Sequence, residues 1–214
     1  MKLNIIKLKI SFFLILMTFS YLSFSQSNNK LIVGANRTEL FLNHIEGLNV
    51  AVVANLSSKI KSNTKSIHLI DSLLKLNIKI KKVFSPEHGF RGEADAGEKV
   101  EDGIDQKTGI PIISLHGTNK KPTKDQMKDI DVVIFDIQDV GARFYTYIST
   151  LHYVMEAVGE NNKKLIILDR PNPNGHYVDG PILESKYKSF IGMHPVPVVY
   201  GMTIGEFGIM INEE

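Results

Sequence analysis

Six short apolar runs constrain this chain more than any other feature of it. They lie at 50–54, 78–84, 110–115, 132–137, 165–168 and 196–200. Lysines interrupt the second, but most are nearly continuous rather than alternating in polarity. A strand with one wet face must alternate, whereas a parallel strand buried on both faces need not. Helical spacing fills several of the intervals. Ile67, Ile70, Leu73 and Leu74 share a face of 66–76, as do Ile148, Leu151, Val154, Met155 and Val158 of 147–158. Thr123-x-x-Gln126 and Thr203-x-x-Glu206 each predict a capping box opening a helix. With right-handed crossovers, the alternation predicts an α/β fold with a doubly wound, mostly parallel sheet.

The first 25 residues are expected to stand outside that fold. Lys2, Lys7 and Lys9 precede an apolar run at 10–24, and Ser23-Phe24-Ser25 offers small residues where a signal peptidase reads. This pattern is that of a secretory signal peptide cleaved before Gln26, and the run is short for a bilayer span. The expectation is a periplasmic or secreted protein with no stable membrane anchor, its folded domain at 26–214. The chain has no cysteine, which excludes disulfides, thiol nucleophiles, cysteine-ligated zinc and a lipid anchor on cysteine. The formal charge of +2 includes three signal lysines and no signal acid, so the remainder carries 22 basic and 23 acidic residues, a net of −1. The lysines are scattered, without a basic stripe interleaved with aromatics, so no nucleic-acid partner is expected.

Ligands of open α/β sheets bind beyond the carboxyl ends of the strands. The exits here carry Asn55, then Ser85-Pro86-Glu87-His88, His116-Gly117, Asp136-Ile137-Gln138-Asp139, Asp169-Arg170-Pro171-Asn172 and Tyr200-Gly201. The entrances hold lysines and ordinary polar residues. One rim therefore gathers most of the carboxylates, imidazoles and amides. Glu87 opens the long connection 87–109, dense in acids and glycines, and connections of that length usually serve function or lack order. Half-buried just past a strand, it suits a general acid; capping a helix or pairing with Arg91 would place it there equally well. His88 would orient Glu87 or bind substrate.

Asp136 and Asp139 leave the fourth run as further catalytic candidates, and an Asp-x-x-Asp pair is also compatible with a divalent metal, although metal sites usually show more ligands nearby. Arg143, Tyr145 and Tyr147 form a polar-aromatic group suited to sugars or carboxylates, or alternatively the first turn of a helix packed on the sheet. In Asp169-Arg170-Pro171-Asn172-Pro173-Asn174-Gly175 two prolines stiffen a turn able to present Asp169, Arg170 and Asn172. No G-x-G-x-x-G, P-loop, H-E-x-x-H or G-x-S-x-G is present. Carboxylate chemistry on a sugar-sized rim remains, and glycoside hydrolysis needs two carboxylates and no cofactor or metal.

Taken together, Ser85-Pro86-Glu87-His88-Gly89-Phe90-Arg91-Gly92, Ala94-Asp95-Ala96-Gly97-Glu98-Lys99, Phe135-Asp136-Ile137-Gln138-Asp139-Val140-Gly141, Arg143-Phe144-Tyr145-Thr146-Tyr147-Ile148-Ser149-Thr150 and Leu168-Asp169-Arg170-Pro171-Asn172-Pro173 closely resemble one bacterial family. It is that of the exo-β-N-acetylmuramidases of the NamZ type, once a domain of unknown function, and the likeness runs from about Gly34 onward. The resemblance implies a Rossmann-like catalytic domain followed by a smaller auxiliary domain, which this chain would lack. It implies release of N-acetylmuramic acid from non-reducing ends of peptidoglycan fragments in cell-wall turnover, with muropeptides or disaccharides as partners. It also singles out Glu87 as the catalytic residue. Asn55-Leu56-Ser57 stands where the family tends to have Asn-Gln-Thr, and Tyr200 where histidine is common.

On this reading Glu87 protonates the glycosidic oxygen. Asp136, Asp139 or Asp169 acts as base, nucleophile or orienter of the substrate's acetamido group, and Arg143 or Arg91 grips the lactyl carboxylate. A non-catalytic sugar-binding protein and a metal-dependent hydrolase using Asp136 and Asp139 are the competing expectations.

Overall fold

A computed structural model describes residues 31–61, 65–91 and 102–213. The expected signal peptide and the acidic stretch 92–101 lie outside the described residues. From Ile32 onward the chain forms one compact unit. Its strands are β1 (Asn49–Ala54), β2 (Lys59–Lys61), β3 (Ser66–His68), β4 (Lys79–Ser85), β5 (Gly103–Ile104), β6 (Pro111–Ser114), β7 (Val132–Asp136) and β8 (Lys164–Ile167). The helices are α1 (Thr38–Phe41), α2 (Leu69–Lys75), α3 (Lys124–Met127), α4 (Tyr147–Glu160) and α5 (Ile204–Glu213).

Six strands make one sheet in the order β5-β6-β4-β1-β7-β8, while β2 and β3 form a separate hairpin. All pairs in the large sheet are parallel except β5 with β6. The chain leaves β1 toward β4 and β6, then returns to β1's other side for β7 and β8. The order thus reverses beside β1, which is where doubly wound folds open a ligand crevice.

The continuous apolar runs are explained by cover on both faces. Val50, Val52, Ala54, Val83, Val132 and Ile134 pack with Phe41, Ile45, Leu69, Ile70 and Leu73. Ala51, Val53, Phe84, Val133 and Phe135 point the other way, onto Leu151 and Val154 of α4 and Phe207 of α5. Adjacent residues of one strand therefore serve opposite cores, and truncating a side chain such as fully buried Phe135 to alanine should cost about 3–5 kcal/mol.

Both predicted capping boxes form. Thr123 Oγ1 accepts from Gln126 N at 3.3 Å while Gln126 Oε1 accepts from Thr123 N at 2.8 Å. Thr203 and Glu206 make the same reciprocal pair at 3.2 and 2.8 Å.

The structure differs from expectation in three elements. The run at 196–200 is not a sheet strand; Val199 makes isolated antiparallel bridges to Ala142 and Asp179. Pro195 and Pro197 lack the amide hydrogens that a ladder would need. Residues 66–68 are extended in the β2–β3 hairpin, and α2 begins only at Leu69, with His68 Nδ1 accepting from Ile70 N at 3.3 Å. Finally, the connection 87–109 contributes β5, the antiparallel edge strand.

Candidate active site

Glu87 sits on a tight reversal just past β4. Gly89 N donates to Pro86 O at 3.3 Å, and His88 between them has φ +73°. A left-handed backbone at a residue other than glycine costs free energy, and such residues cluster at functional positions. Glu87 and His88 are half-buried. Across the rim, Thr146 Oγ1 donates to Glu87 Oε2 at 3.1 Å. Thr146 is the residue immediately before the first turn of α4.

Tyr147, the next residue, is buried, and its ring meets that of Tyr145 edge-on at 5.1 Å. Burial pushes this phenol's pKa well up, aided by Tyr145 and by the negative charges of Glu87 and Asp139, against the pull of the Asn55 side chain. Asn55 is held in turn by Ser57, whose N and Oγ donate to Asn55 Oδ1 at 2.9 and 2.5 Å. The same Ser57 hydroxyl accepts from Gln138 N at 2.9 Å, tying the β1 exit to the β7 exit.

Asp139 lies at that second exit and is only 4% exposed. Its Oδ2 accepts from Gly141 N at 2.7 Å and from the Tyr200 hydroxyl in a short contact. Its Oδ1 is buried with no hydrogen-bond partner among the described residues. Burial raises the Asp139 pKa, opposed by Tyr200 and the backbone amides of Gly141 and Val140. The exits of β1, β4 and β7 thus bring Asn55, Glu87 and Asp139 around the first turn of α4.

Other expected site residues are placed differently. Asp136 is fully buried, and Arg170 closes on both of its oxygens, Nε to Oδ1 at 2.6 Å and Nη2 to Oδ2 at 3.0 Å. This pair lies beneath the rim, so neither the catalytic expectation for Asp136 nor the substrate-binding one for Arg170 keeps a geometric basis. Arg91 is likewise committed. Its Nε and Nη2 donate to Asp105 at 2.8 and 2.7 Å, Nη2 also reaches Asp71 at 3.1 Å, and the guanidinium lies 4.7 Å from the Phe90 ring centroid. Asp169 receives the start of α5, accepting from Gly205 N at 2.8 Å and Thr203 Oγ1 at 2.8 Å. Asn172 Nδ2 donates to Met202 O at 2.8 Å, and its Oδ1 accepts from Asn174 N at 2.7 Å. Gly141 has φ +76°, and a Cβ there would stand 2.0 Å from Asn172 Oδ1, so only glycine lets these two rim loops close.

Arg143 is different. Its Nη1 donates to the carbonyls of Pro181 at 2.7 Å and Val196 at 2.5 Å, both uncharged. Of the three candidate arginines it alone pairs with no carboxylate among the described residues.

Thr146 escaped sequence reasoning because a threonine before a helix normally reads as a cap, and Tyr200 because it departs from the family's usual histidine. Asn55 was on the rim but carried no motif of its own. Among the described residues no group of three His, Cys, Asp or Glu side chains is disposed to hold a metal ion.

The family described as "Exo-beta-N-acetylmuramidase NamZ, N-terminal" matches residues 50–214. The peptidoglycan β-N-acetylmuramidase NamZ of Bacillus subtilis (strain 168) is 53% identical over 139 residues, covering 64% of this chain and 34% of that protein. Two crystal structures of DUF1343 family proteins from Bacteroides fragilis NCTC 9343 superpose with TM-scores of 0.73 and 0.76, at 46% and 38% identity. Each covers 85% of this chain, which spans 46% and 45% of theirs. The chain thus spans about a third of the curated relative and less than half of each solved one.

Proposed function

Because the chain belongs to the exo-β-N-acetylmuramidase NamZ family, matching its N-terminal part, we propose that it contributes the catalytic face of a glycosidase releasing N-acetylmuramic acid from peptidoglycan fragments. The observation that carries this reading is Glu87: a half-buried carboxyl group at the switch-point rim, with no described cation paired to it and Thr146 directed at it.

In this mechanism Glu87 gives its proton to the glycosidic oxygen as the C1–O bond breaks and positive charge develops on the sugar ring. Water adds its oxygen to C1 to complete the N-acetylmuramic acid product, and the proton it gives up replaces the one Glu87 donated. Asp139 is the proposed second group; Asp169, the other rim carboxyl group, is taken up by Gly205 N and Thr203 Oγ1 at the start of α5. Asp136 is not carried forward, since Arg170 occupies it. Arg143 has an unpaired guanidinium among the described residues and is assigned the lactyl carboxylate, which arginine forks suit. Tyr145, half-buried beside it, offers an aromatic surface to the sugar.

The substrates on this reading are muropeptides or disaccharides ending in N-acetylmuramic acid, met in the periplasm or outside the cell after removal of residues 1–25. No helix among the described residues is long and apolar enough to cross a membrane.

The test is Glu87→Gln assayed on a chromogenic N-acetyl-β-muramide and on a MurNAc-GlcNAc disaccharide. Turnover should fall by about 10²–10⁴-fold, the range for a lost general acid, with the circular-dichroism spectrum unchanged. Near-normal release by the variant removes Glu87 from the chemistry. Tight disaccharide binding without turnover by the parent protein would make this a sugar-binding protein instead.

A further inference from the structure

Among the described residues, three helices have a threonine immediately before their first residue, and they make an internal comparison. Thr123 and Thr203 both accept from the backbone of their own helix, at 3.3 Å and 3.2 Å, completing capping boxes, and Thr203 does so while its hydroxyl also donates to Asp169 Oδ2 at 2.8 Å. Thr146 occupies the equivalent position in α4, the longest helix described, and makes no side-chain cap hydrogen bond. Its backbone there is helical, with φ −77° and ψ −6°, rather than the extended conformation that lets a cap side chain fold back. Its hydroxyl instead donates outward to Glu87 Oε2 at 3.1 Å, across 59 residues of sequence. A helix this long leaves first-turn N–H groups in want of acceptors, so a threonine diverted from them gives up a local stabilisation. What it gains is a hold on one carboxylate oxygen. Glu87 needs such a hold, because it projects from a turn strained at His88 and no described cation fixes it. The neighbouring residue supports the same arrangement: Tyr147 is buried in the core and meets Tyr145 edge-on, so the first turn of α4 is itself held in place.

We propose that Thr146 is the positioning residue for Glu87: it gives up its helix-capping role to lock the Glu87 carboxyl group toward the glycosidic oxygen. This rests on the reading of Glu87 as the reacting acid. Thr146 does not touch substrate; it acts by removing the rotamer freedom of the side chain that does. One Thr146 hydrogen on Glu87 Oε2 leaves Oε1 as the oxygen that carries the transferable proton, so the contact selects which oxygen faces the leaving group.

The test uses the full chain with Thr146→Val, nearly isosteric but unable to donate, and Thr146→Ser, which keeps the hydroxyl. On the chromogenic N-acetyl-β-muramide, Thr146→Val should lower kcat by about 10- to 100-fold, the scale expected for a misplaced reacting group, with KM within about twofold. Thr146→Ser should restore most of kcat. Thr146→Val should leave the melting temperature unchanged, whereas Thr123→Ala, which removes a working cap, should lower it. A crystal structure of Thr146→Val should show the Glu87 carboxyl group displaced or in more than one rotamer. Unchanged kcat in Thr146→Val, or a Glu87 side chain that stays in place in its crystal structure, overturns the proposal. Retained turnover in Glu87→Gln would overturn the reading of Glu87 instead. If the parent chain releases no sugar, the crystal structure alone decides the positioning.

Discussion

Arg170 holds Asp136 through both carboxylate oxygens, at 2.6 and 3.0 Å, with Asp136 fully buried and Arg170 only 7% exposed. Arg170 Nη2 also donates to Lys59 O at 3.3 Å, so one guanidinium joins β7, the loop after β8 and the β2–β3 hairpin. Removing one partner strands a charge in the interior. Asp136→Ala or Arg170→Ala should therefore destabilise the fold by about 3–5 kcal/mol in urea unfolding. Loss of activity in either variant should track the unfolded fraction. A folded Asp136→Ala protein with no turnover would return Asp136 to the chemistry.

The Arg91 cluster predicts acid lability. The Asp105 carboxyl group is held down at about pKa 2, first by hydrogen bonds from Arg91 and then, against burial, by Thr108. Asp71 in the same cluster is also lowered: burial opposes this, but Lys107 and Arg91 overcome it. A carboxylate whose folded pKa lies below its unfolded value stabilises the protein above the unfolded value, and that stability is lost as pH falls toward the folded one. Stability should fall by about 2 kcal/mol for Asp105 between about pH 4 and pH 2. Asp105→Asn should remove most of that step, as read by denaturant midpoints across the range.

Asp139 has the opposite sign. Burial raises its pKa, so the folded state favours its protonated form, and stability is lost as pH rises from the unfolded value through the folded one. Asp139→Asn removes that loss. The variant should be at least as stable as the parent at pH 7, yet show greatly reduced turnover if Asp139 is the second group. Retained turnover would assign the burial of Asp139, and its link to Tyr200, to structure alone.

Arg143 predicts specificity. Charge-assisted hydrogen bonds are worth about 1.5–3 kcal/mol, which corresponds to roughly 10- to 150-fold in kcat/KM. Arg143→Met should lose that much on an N-acetyl-β-muramide and little on the corresponding glucosaminide, which has no lactyl group. Equal losses on both substrates would show that Arg143 serves the loop through Pro181 and Val196 and not the carboxylate.

What the amino-acid sequence determined by itself is the framework. Val50, Val52 and Ala54 face one core while Ala51 and Val53 face the other. That doubly buried state is why unbroken apolar runs could be read as parallel strands, and it places Glu87, Asn55 and Asp139 at strand exits on one rim. Local hydrogen bonds were equally legible: the Thr123 and Thr203 caps close within three residues. Prolines 195 and 197 could have demoted the run at 196–200, since they remove ladder donors whatever the surroundings.

Only the tertiary structure decided how charges and hydroxyls were shared out. Arg170 reaches Asp136 across 34 positions, Thr146 reaches Glu87 across 59, and Tyr200 reaches Asp139 across 61. Those pairings depend on which strand exits become neighbours, and the order β4-β1-β7-β8 sets that through long-range packing. In sequence, Arg91, Arg143 and Arg170 were all candidates for binding substrate, the first two for its lactyl carboxylate. Folding commits two of them to internal acids and leaves the third without one among the described residues, because a buried charge must find its partner wherever the sheet brings one within reach.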